Sequence, residues 1–171
     1  MPQNNPQPTI ERASQADLET VTELWLRLAR DQRAYDSAVR PDANRETMRN
    51  TLAAYRVNDG LLVARLQGEI VGFASVSIEH GSLELDVTRG LLSNVYVDPA
   101  VRNQGIGTAL LEAAEDTLAE QGADVMLLEV MAGNEDARRF YRSRGYDEFR
   151  VTMTRSLGDR DENDTHSKED G

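Results

Sequence analysis

Apolar residues recur along the first half of the chain with two different spacings. Helical spacing, in which an apolar residue returns every three or four positions, predicts helices over residues 14–32 and 44–57. Short apolar runs bounded by turn residues predict strands over residues 61–66 and 70–78, and the glycine in the turn between them is typical of a hairpin. Helices and strands are therefore mixed in this half of the chain.

The second half of the chain begins with a strand, a turn and a helix. Residues 91–97 are rich in β-branched, aromatic and other apolar side chains, and Asp98-Pro99 cannot continue the strand. Apolar residues then follow with helical spacing from Ile106 to about residue 121, and residues 125–131 form another largely apolar run. Because a helix crosses between them, these two strands are expected to run parallel.

Weaker patterns add the remaining elements. Residues 9–13 and 149–154 predict a first and a last strand, and a helix is expected from the N-cap Asn134 to Gly145. Residues 82–87 alternate between polar and apolar, so they either extend the third strand or form a flap before the fourth. The predicted fold is α/β, with a mixed central sheet of six to seven strands and about four helices.

Length and composition suit a single folded domain. A chain of 171 residues with 39% hydrophobic content can bury about 70% of its unfolded surface. We expect this domain to span residues 9–157, after a loose polar segment at 1–8 and before a disordered acidic tail at 158–171. No apolar run approaches the ~20 residues that cross a bilayer, and residues 1–8 have no signal-peptide features, so the expected location is the cytoplasm.

Charge and cysteine content exclude several classes of function. The sequence contains 30 aspartates and glutamates but only 18 arginines and one lysine, which gives a net charge of −11. This charge argues against nucleic-acid binding and favours cationic or neutral substrates. The absence of cysteine from the sequence excludes disulfides, a thiolate metal site and a cysteine nucleophile. The acid excess is typical of halophile proteins, in which molar salt screens self-repulsion. A GC-rich genome is the alternative; it would explain why arginine replaces lysine, but not the excess of acidic residues.

The turn before the helix that starts at Ile106 has the composition of an anion site. Gly105 and Gly107 carry no Cβ, so a phosphate can approach the first backbone amides of the helix, which lack intrahelical partners and form the positive end of its dipole. Arg102 and Thr108 add a charge and a hydroxyl nearby. The turn lacks the Lys-Ser/Thr of a nucleotide triphosphatase loop and the third glycine of a dinucleotide fingerprint. A turn that needs glycine only for packing is the alternative.

Two blocks of the sequence resemble the GCN5-related N-acetyltransferase (GNAT) family. The first is R-N-Q-G-I-G at residues 102–107, after the strand V-Y-V-D-P, which is similar to the acetyl-coenzyme A motif of the family. The second is residues 127–146, where a strand, Asn134, Tyr141 and a closing Gly-Tyr pair are similar to a later motif of the family. Two blocks in the right order are far more specific than one, and the resemblance extends over residues 9–156.

The resemblance implies a GNAT fold in which the parallel strands four and five splay apart into a V-shaped opening. The pantetheine arm of acetyl-coenzyme A, an acyl donor used without a metal, would enter this opening and pair with strand four as an added strand does. The backbone N–H of Val97 would polarise the acetyl oxygen. The implied coenzyme-binding residues are Val95, Tyr96, Val97, Arg102, Asn103, Gln104, Gly105, Ile106, Gly107, Thr108 and Asn134.

The resemblance also implies direct transfer of the acetyl group to an amine, without a covalent enzyme intermediate. Tyr141 matches the general acid of the family, which protonates the departing thiolate. Glu129 on strand five, twelve residues before Tyr141, is a candidate base. His80 at a strand end and a water relay through Ser93 or Asn94 are the alternatives for this role.

The acceptor amine is open at the level of the sequence. The spacing of Glu129 and Tyr141 is similar to that of the base and acid in the ribosomal-protein N-terminal acetyltransferases of the family, which favours a peptide or protein N-terminal amine. A small-molecule amine, such as a polyamine, an amino acid or an aminoglycoside, is one alternative, and a non-catalytic acyl-coenzyme A sensor is another. The resemblance also implies that the loop between the first two helices borders the acceptor site, which makes Tyr35, Asp36 and Arg40 candidate substrate contacts; a solvated loop is the alternative. Dimers are common in the family, so a homodimer is implied by the resemblance alone.

Overall fold

The computed structural model describes residues 6–158 and contains two compact units, one that ends at Asn134 and one that begins at Glu135. The first unit contains β1 (Thr9–Arg12), α1 (Leu18–Gln32), α2 (Arg45–Val57), β2 (Leu61–Leu66), β3 (Glu69–Ile78), β4 (Arg89–Val97), α3 (Ile106–Glu120) and β5 (Val125–Leu128). The second unit contains α4 (Glu135–Ser143). These bounds confirm the four predicted helices. Part of the predicted loose segment, residues 1–5, and the predicted tail after residue 158 lie outside the described residues.

The strands form one mixed sheet in the order β1-β2-β3-β4-β5. The first four strands pair antiparallel with their neighbours in the chain. β4 and β5 run parallel, because α3 crosses between them. The α/β class and the parallel pair are thus confirmed, but residues 6–158 contain five strands and not the six to seven predicted.

Two segments with strand-like alternation do not join the sheet. Residues 82–87 form a loop between β3 and β4 and do not extend β3. The prediction of a strand over residues 149–154 is wrong, because these residues have no regular secondary structure. Their apolar side chains are exposed, with Leu83 at 79% and Phe149 at 67% of full exposure. Alternation gives a segment one apolar face, but a strand also requires a neighbouring strand for its backbone hydrogen bonds. The run at 125–131 likewise pairs only as far as Leu128.

Helices cover both faces of the sheet in the first unit. α1 and α2 pack on one face, where Leu26, Leu52 and Phe73 are fully buried. α3 packs against β3 and β4 on the other face through Leu110 and Leu111. Removing these side chains from water stabilises the fold by about 25 cal/mol per Å² of apolar surface. Within residues 6–158, every helix falls short of the length and apolarity that a membrane span requires.

The helix of the second unit ends at a glycine. Gly145 has a φ of 91°. Its N–H donates to the carbonyl of Arg142, and the N–H of Tyr146 donates to the carbonyl of Tyr141, both at 3.1 Å. These two bonds form a Schellman motif, in which glycine adopts the left-handed conformation without a steric penalty. The predicted end of this helix at Gly145 is therefore confirmed.

Candidate functional site

β4 and β5 stay paired over only part of β4. The parallel ladder covers four residues of β4 and ends where Leu92 lies opposite Leu128. The ladder with β3 on the other edge continues to Val97. Among the described residues, no strand pairs with the outer edge of β4 over residues 93–97. An opening therefore begins between the two parallel strands, in agreement with the predicted splay.

A β-bulge lies at the point where the two parallel strands part. Ser75 of β3 pairs with Asn94, and the next residue, Val76, pairs with Leu92. Ser93 is therefore an extra residue on β4 that has no pairing partner on β3. A bulge of this kind interrupts the regular alternation of side chains and redirects those next to it.

The bulge brings two neighbouring polar side chains to partners on the α2 side of the sheet. The Tyr55 hydroxyl on α2 donates a 2.8 Å hydrogen bond to Oγ of Ser93. Nδ2 of Asn94 donates a 2.9 Å hydrogen bond to Oγ of the buried Ser75. Ser93 is exposed, so of the two predicted relay residues it is the more accessible to a ligand. Tyr55 could not be predicted from the sequence as a site residue, because its spacing indicates only a place on the apolar face of α2.

The register determines which backbone groups of β4 face the opening. The N–H of Asp98 donates a 2.8 Å hydrogen bond to the carbonyl of Val71 on β3. Backbone groups alternate in direction along a strand, so those of Tyr96 also face β3. Those of Val95 and Val97 face the open edge. The backbone of Val95 and the N–H of Val97 can consequently pair with a ligand, whereas the carbonyl of Val97 accepts from Arg102 and Tyr96 contributes a buried ring.

The turn before α3 contains two left-handed residues. Asn103 has a φ of 64° and Gly105 a φ of 82°. A Cβ on Gly105 would have no heavy atom within 4 Å, so the space beside the helix start is open. The first backbone bond of α3 runs from the N–H of Ala109 to the carbonyl of Gly105 at 3.0 Å. The amides of Ile106 and Gly107 precede that bond, which is the geometry of a phosphate-binding helix start.

The charge at the start of α3 differs from that at the other helix starts. Of the four α-helices within residues 6–158, α3 alone has no acidic residue in its first turn; α1 and α2 carry Glu19 and Glu46, and α4 carries Glu135 and Asp136. An acidic side chain there neutralises the positive end of the helix dipole. In this acidic chain, the start of α3 thus retains its attraction for an external anion.

Arg102 connects the turn to the end of β4. Its Nε donates a 2.9 Å hydrogen bond to the carbonyl oxygen of Val97. Its guanidinium lies 5.3 Å from the centre of the Tyr96 ring, and Nη2 lies 3.8 Å from the carboxylate of Asp31. A Cβ on Gly107 would contact Cγ2 of Val97 at 3.8 Å. The turn before α3 and the open edge of β4 are therefore adjacent.

The candidate bases lie at different positions along β4. Glu129 is exposed and directly follows Leu128, the residue of β5 that forms the last pair with β4. His80 follows β3 near the start of β4, where the N–H of Glu79 donates to the carbonyl of Arg89 at 2.8 Å. The backbone of Glu129 therefore lies next to the last pair of β4 and β5, whereas His80 lies near the start of β4.

The loop between α1 and α2 approaches the loop after β5. A Cβ on Gly133 would lie 3.7 Å from Cδ1 of Tyr35, which is half-buried. Asp36 and Arg40 are exposed in the same loop. Of the three predicted substrate contacts, Tyr35 is thus the one that the structure places beside the segment following Glu129.

Tyr141 has a distinct environment in the second unit. Its ring centroid lies 5.4 Å from that of Phe140 and 5.9 Å from that of Tyr146. Burial raises the pKa of the Tyr141 phenol to about 12, because the charged phenolate is disfavoured away from water. The hydroxyl therefore carries its proton at neutral pH and is able to act as a proton donor. Asn134 directly precedes α4, as its predicted role as N-cap requires.

Comparison with known proteins identifies the family. The Acetyltransferase (GNAT) family model matches residues 23–146, and the chain belongs to this family. An N-alpha-acetyltransferase from Sulfurisphaera tokodaii is 35% identical over 95 residues, which cover 52% of this chain and 57% of the relative. The [Ribosomal protein bS18]-alanine N-acetyltransferase of Escherichia coli K12 is 44% identical over 60 residues, which cover 35% of this chain and 40% of the relative.

A solved structure has the same fold. The aminoglycoside N-acetyltransferase AAC(6')-Iy, in complex with CoA, superposes with a TM-score of 0.70 at 18% identity, over 92% of this chain and 99% of that one. At this level of identity the likeness shows the fold alone. The chain spans between 42% and 60% of the length of the first four curated relatives that it matches.

Proposed function

We propose that this protein is an acetyl-coenzyme A-dependent N-acetyltransferase that transfers the acetyl group directly to a primary amine. The proposal rests chiefly on the parting of β4 and β5 after Leu92 and Leu128, beside a helix whose first turn has no acidic residue. An extended arm can pair with the open edge of β4 while its phosphates lie at the start of α3. Membership of the GNAT family supports the same chemistry.

The positions of the turn and the bulge give the coenzyme a direction. The turn lies beside Val97, so the phosphates bind at that end and the pantetheine arm runs along β4 towards Val95 and the bulge at Ser93. The thioester then lies nearer to Val95 than to Val97. The N–H of Val95, and not that of Val97 as expected from the sequence, is the better-placed donor to the acetyl oxygen. The phosphate end is formed by Arg102, Asn103, Gln104, Gly105, Ile106, Gly107 and Thr108.

The chain supplies the proton transfers that the reaction requires. The bound coenzyme provides an acetyl group already activated as a thioester. Glu129 accepts the proton of the acceptor amine, and a water held by Ser93 is the alternative route, because Ser93 is more exposed than Asn94, whose Nδ2 donates to Ser75. Tyr141 gives a proton to the departing thiolate, and its raised pKa of about 12 keeps that proton available throughout the physiological range.

We favour a peptide or protein α-amine as the acceptor. An α-amine has a pKa of about 7.7 to 8.0 and needs little help to lose its proton, whereas a lysine amine has a pKa of about 10.4. The two relatives named above are an N-alpha-acetyltransferase and an enzyme that acetylates an alanine of a ribosomal protein. The net charge of −11 also attracts a cationic peptide. A small-molecule amine is the second candidate, supported by the fold shared with an aminoglycoside acetyltransferase.

The test is thiol release from acetyl-coenzyme A in the presence of a panel of amines. The panel contains peptides with free N-termini, polyamines and aminoglycosides, each assayed at low salt and in ~1 M potassium chloride because molar salt screens the surface charge. Tyr141→Phe is assayed beside the wild type and should lose about 10²- to 10⁴-fold in turnover with little change in coenzyme affinity. Tyr146→Phe keeps the ring that contacts Tyr141 and is the control for loss of a phenol hydroxyl in this unit.

The outcomes separate the candidates. Turnover of N-terminal peptides alone supports the favoured acceptor, and turnover of polyamines or aminoglycosides alone supports the second. Coenzyme binding without turnover of any amine would favour a non-catalytic acyl-coenzyme A sensor. Folded protein that binds no coenzyme at either salt concentration would overturn the proposal.

A further inference from the structure

A tyrosine of α2 reaches the bulge at the opening. The hydroxyl of Tyr55 donates a 2.8 Å hydrogen bond to Oγ of Ser93. Ser93 is the first residue of β4 beyond the last pair with β5, and it is exposed. Tyr55 is half-buried, and its side chain packs against the core cluster between the sheet and the helices α1 and α2. Packing of the ring thus holds the Tyr55 hydroxyl at a fixed place beside the opening.

We propose that Tyr55 is a positioning residue that orients the acceptor amine through Ser93. This inference rests on the proposed transfer of acetyl to an amine. A serine hydroxyl has one hydrogen to donate and two lone pairs that accept hydrogen bonds. The Tyr55 hydroxyl occupies one lone pair of Ser93 Oγ, and the second accepts an N–H of the amine. Binding of that N–H restricts how the amine can turn, so that its lone pair can be held towards the thioester.

Ser93 needs Tyr55 to hold its hydroxyl in one orientation. An exposed serine hydroxyl moves among three staggered χ1 positions, and the bond from Tyr55 selects one of them. Asn94, the other polar residue at the bulge, has its amide engaged with the buried Ser75 and so offers less freedom to bind a ligand. Holding a reacting nitrogen in one orientation is a large part of the rate that an enzyme adds. Loss of the Tyr55 hydroxyl should therefore affect the amine and leave the coenzyme unaffected.

Kinetics of Tyr55→Phe against the best amine of the panel test this role. The variant keeps the ring and its packing and removes only the hydroxyl. We expect kcat/KM for the amine to fall about three- to tenfold, the effect of one hydrogen bond, with the Kd for acetyl-coenzyme A unchanged. Ser93→Ala should lower kcat/KM at least as much. The double variant should be no slower than Ser93→Ala, because Tyr55 acts through Ser93.

Thr51→Val is the matched control on the same helix. Its hydroxyl donates to the carbonyl of Thr47 at 2.9 Å within α2, so its loss should leave kcat/KM within about twofold. Should Tyr55→Phe fail to fold, Ser93→Thr and Ser93→Ala test the same geometry from β4. Ser93→Thr keeps the hydroxyl and should retain most of the activity that Ser93→Ala loses.

Each result bears on the inference in a defined way. A wild type that binds coenzyme and acetylates no amine would overturn the proposed function and this inference with it. A wild type that acetylates the amine at the same kcat/KM as Tyr55→Phe would overturn the inference alone. Equal losses in Ser93→Thr and Ser93→Ala would also overturn it, as would additive losses in the double variant. If Tyr55→Phe lowered both the affinity for coenzyme and the free energy of unfolding, the role of the tyrosine would be purely structural, and the inference would be overturned.

Discussion

The Nε atom of Arg102 donates a 2.9 Å hydrogen bond to the carbonyl oxygen of Val97. This bond connects the turn before α3 to the last residue of β4. The same guanidinium lies 5.3 Å from the centre of the Tyr96 ring, so it is held by a strand carbonyl and an aromatic face together. The side chain of Arg102 therefore helps to position the open edge of β4 and the helix start relative to each other. Arg102 has a structural task here in addition to its positive charge.

Arg102→Lys should weaken binding of acetyl-coenzyme A about tenfold, although the charge is kept. A lysine ammonium lacks the planar fork that can bond to a carbonyl and to a phosphate at the same time. Isothermal titration calorimetry measures the change directly. Arg27→Lys makes the same substitution in an exposed pair with Asp98, 3.5 Å apart, and should change the affinity less than about twofold. Equal weakening in both variants would contradict the role given to Arg102.

Gly105 and Gly122 form a matched pair at the two ends of α3. Their φ angles are 82° and 95°, and a Cβ at either position would meet no heavy atom within 4 Å. Alanine at either position should therefore lower the free energy of unfolding by a similar amount, about 1 to 2 kcal/mol, the cost of a left-handed L-residue. Only Gly105→Ala should also weaken coenzyme binding, because Gly105 directly precedes the amides proposed to bind the phosphates. Urea denaturation and calorimetry measure the two effects; loss of affinity in Gly122→Ala alone would place the phosphates elsewhere.

Gly90 allows α3 to lie close to β4. A Cβ at residue 90 would lie 2.6 Å from Cδ1 of Leu118, a side chain with 1% of its surface exposed. Gly90→Ala should therefore lower the free energy of unfolding by about 1 to 3 kcal/mol through overpacking. Leu118→Ala removes the clashing atoms and should cost about 2 to 5 kcal/mol alone, as a cavity in the core does.

The double variant of Gly90 and Leu118 distinguishes overpacking from a loss of strand propensity. If the two side chains compete for the same space, the combined loss in unfolding free energy is smaller than the sum of the single losses. Urea denaturation of the four proteins gives this coupling. Additive losses, within about 0.5 kcal/mol, would show that the alanine at residue 90 does not act through Leu118.

The elements with local signals could be predicted from the sequence. Asp98-Pro99 ends β4 because proline has no N–H to donate to the sheet, and the left-handed Gly105 marks the start of α3. The turn before α3 is predictable for the same reason, since its backbone geometry depends on a few consecutive residues. Gly145 gave the end of α4 in the same way.

The contacts across the sheet could not be predicted, because they depend on register. Ser93 is a bulge residue only because Ser75 and Val76 pair on either side of it, and nothing within β4 itself shows this. Its partner Tyr55 lies 38 residues away in the chain and has the pattern of a core residue. The error over residues 149–154 is the opposite one, a predicted element that the structure lacks. Alternation predicts a strand there, although no neighbouring strand pairs with this segment.

The phenol of Tyr141 should make the stability of the protein depend on alkaline pH. Burial raises its pKa from 10.0 to about 12 in the folded state. The folded protein therefore holds this proton more tightly than the unfolded chain does. Its contribution to stability is complete below the unfolded pKa of 10.0 and is lost as the pH rises towards about 12.

Tyr141→Phe has no proton to lose at this position, so its free energy of unfolding should fall less than that of the wild type between about pH 9 and pH 11. Urea denaturation at both pH values isolates this difference, because the other tyrosines titrate in both proteins. A parallel fall in the two proteins would show that the phenol of Tyr141 is solvated in the folded state. A solvated phenol would ionise at an ordinary pKa, and the proposed proton donor to the thiolate would then lose its proton about two pH units earlier than the burial of Tyr141 implies.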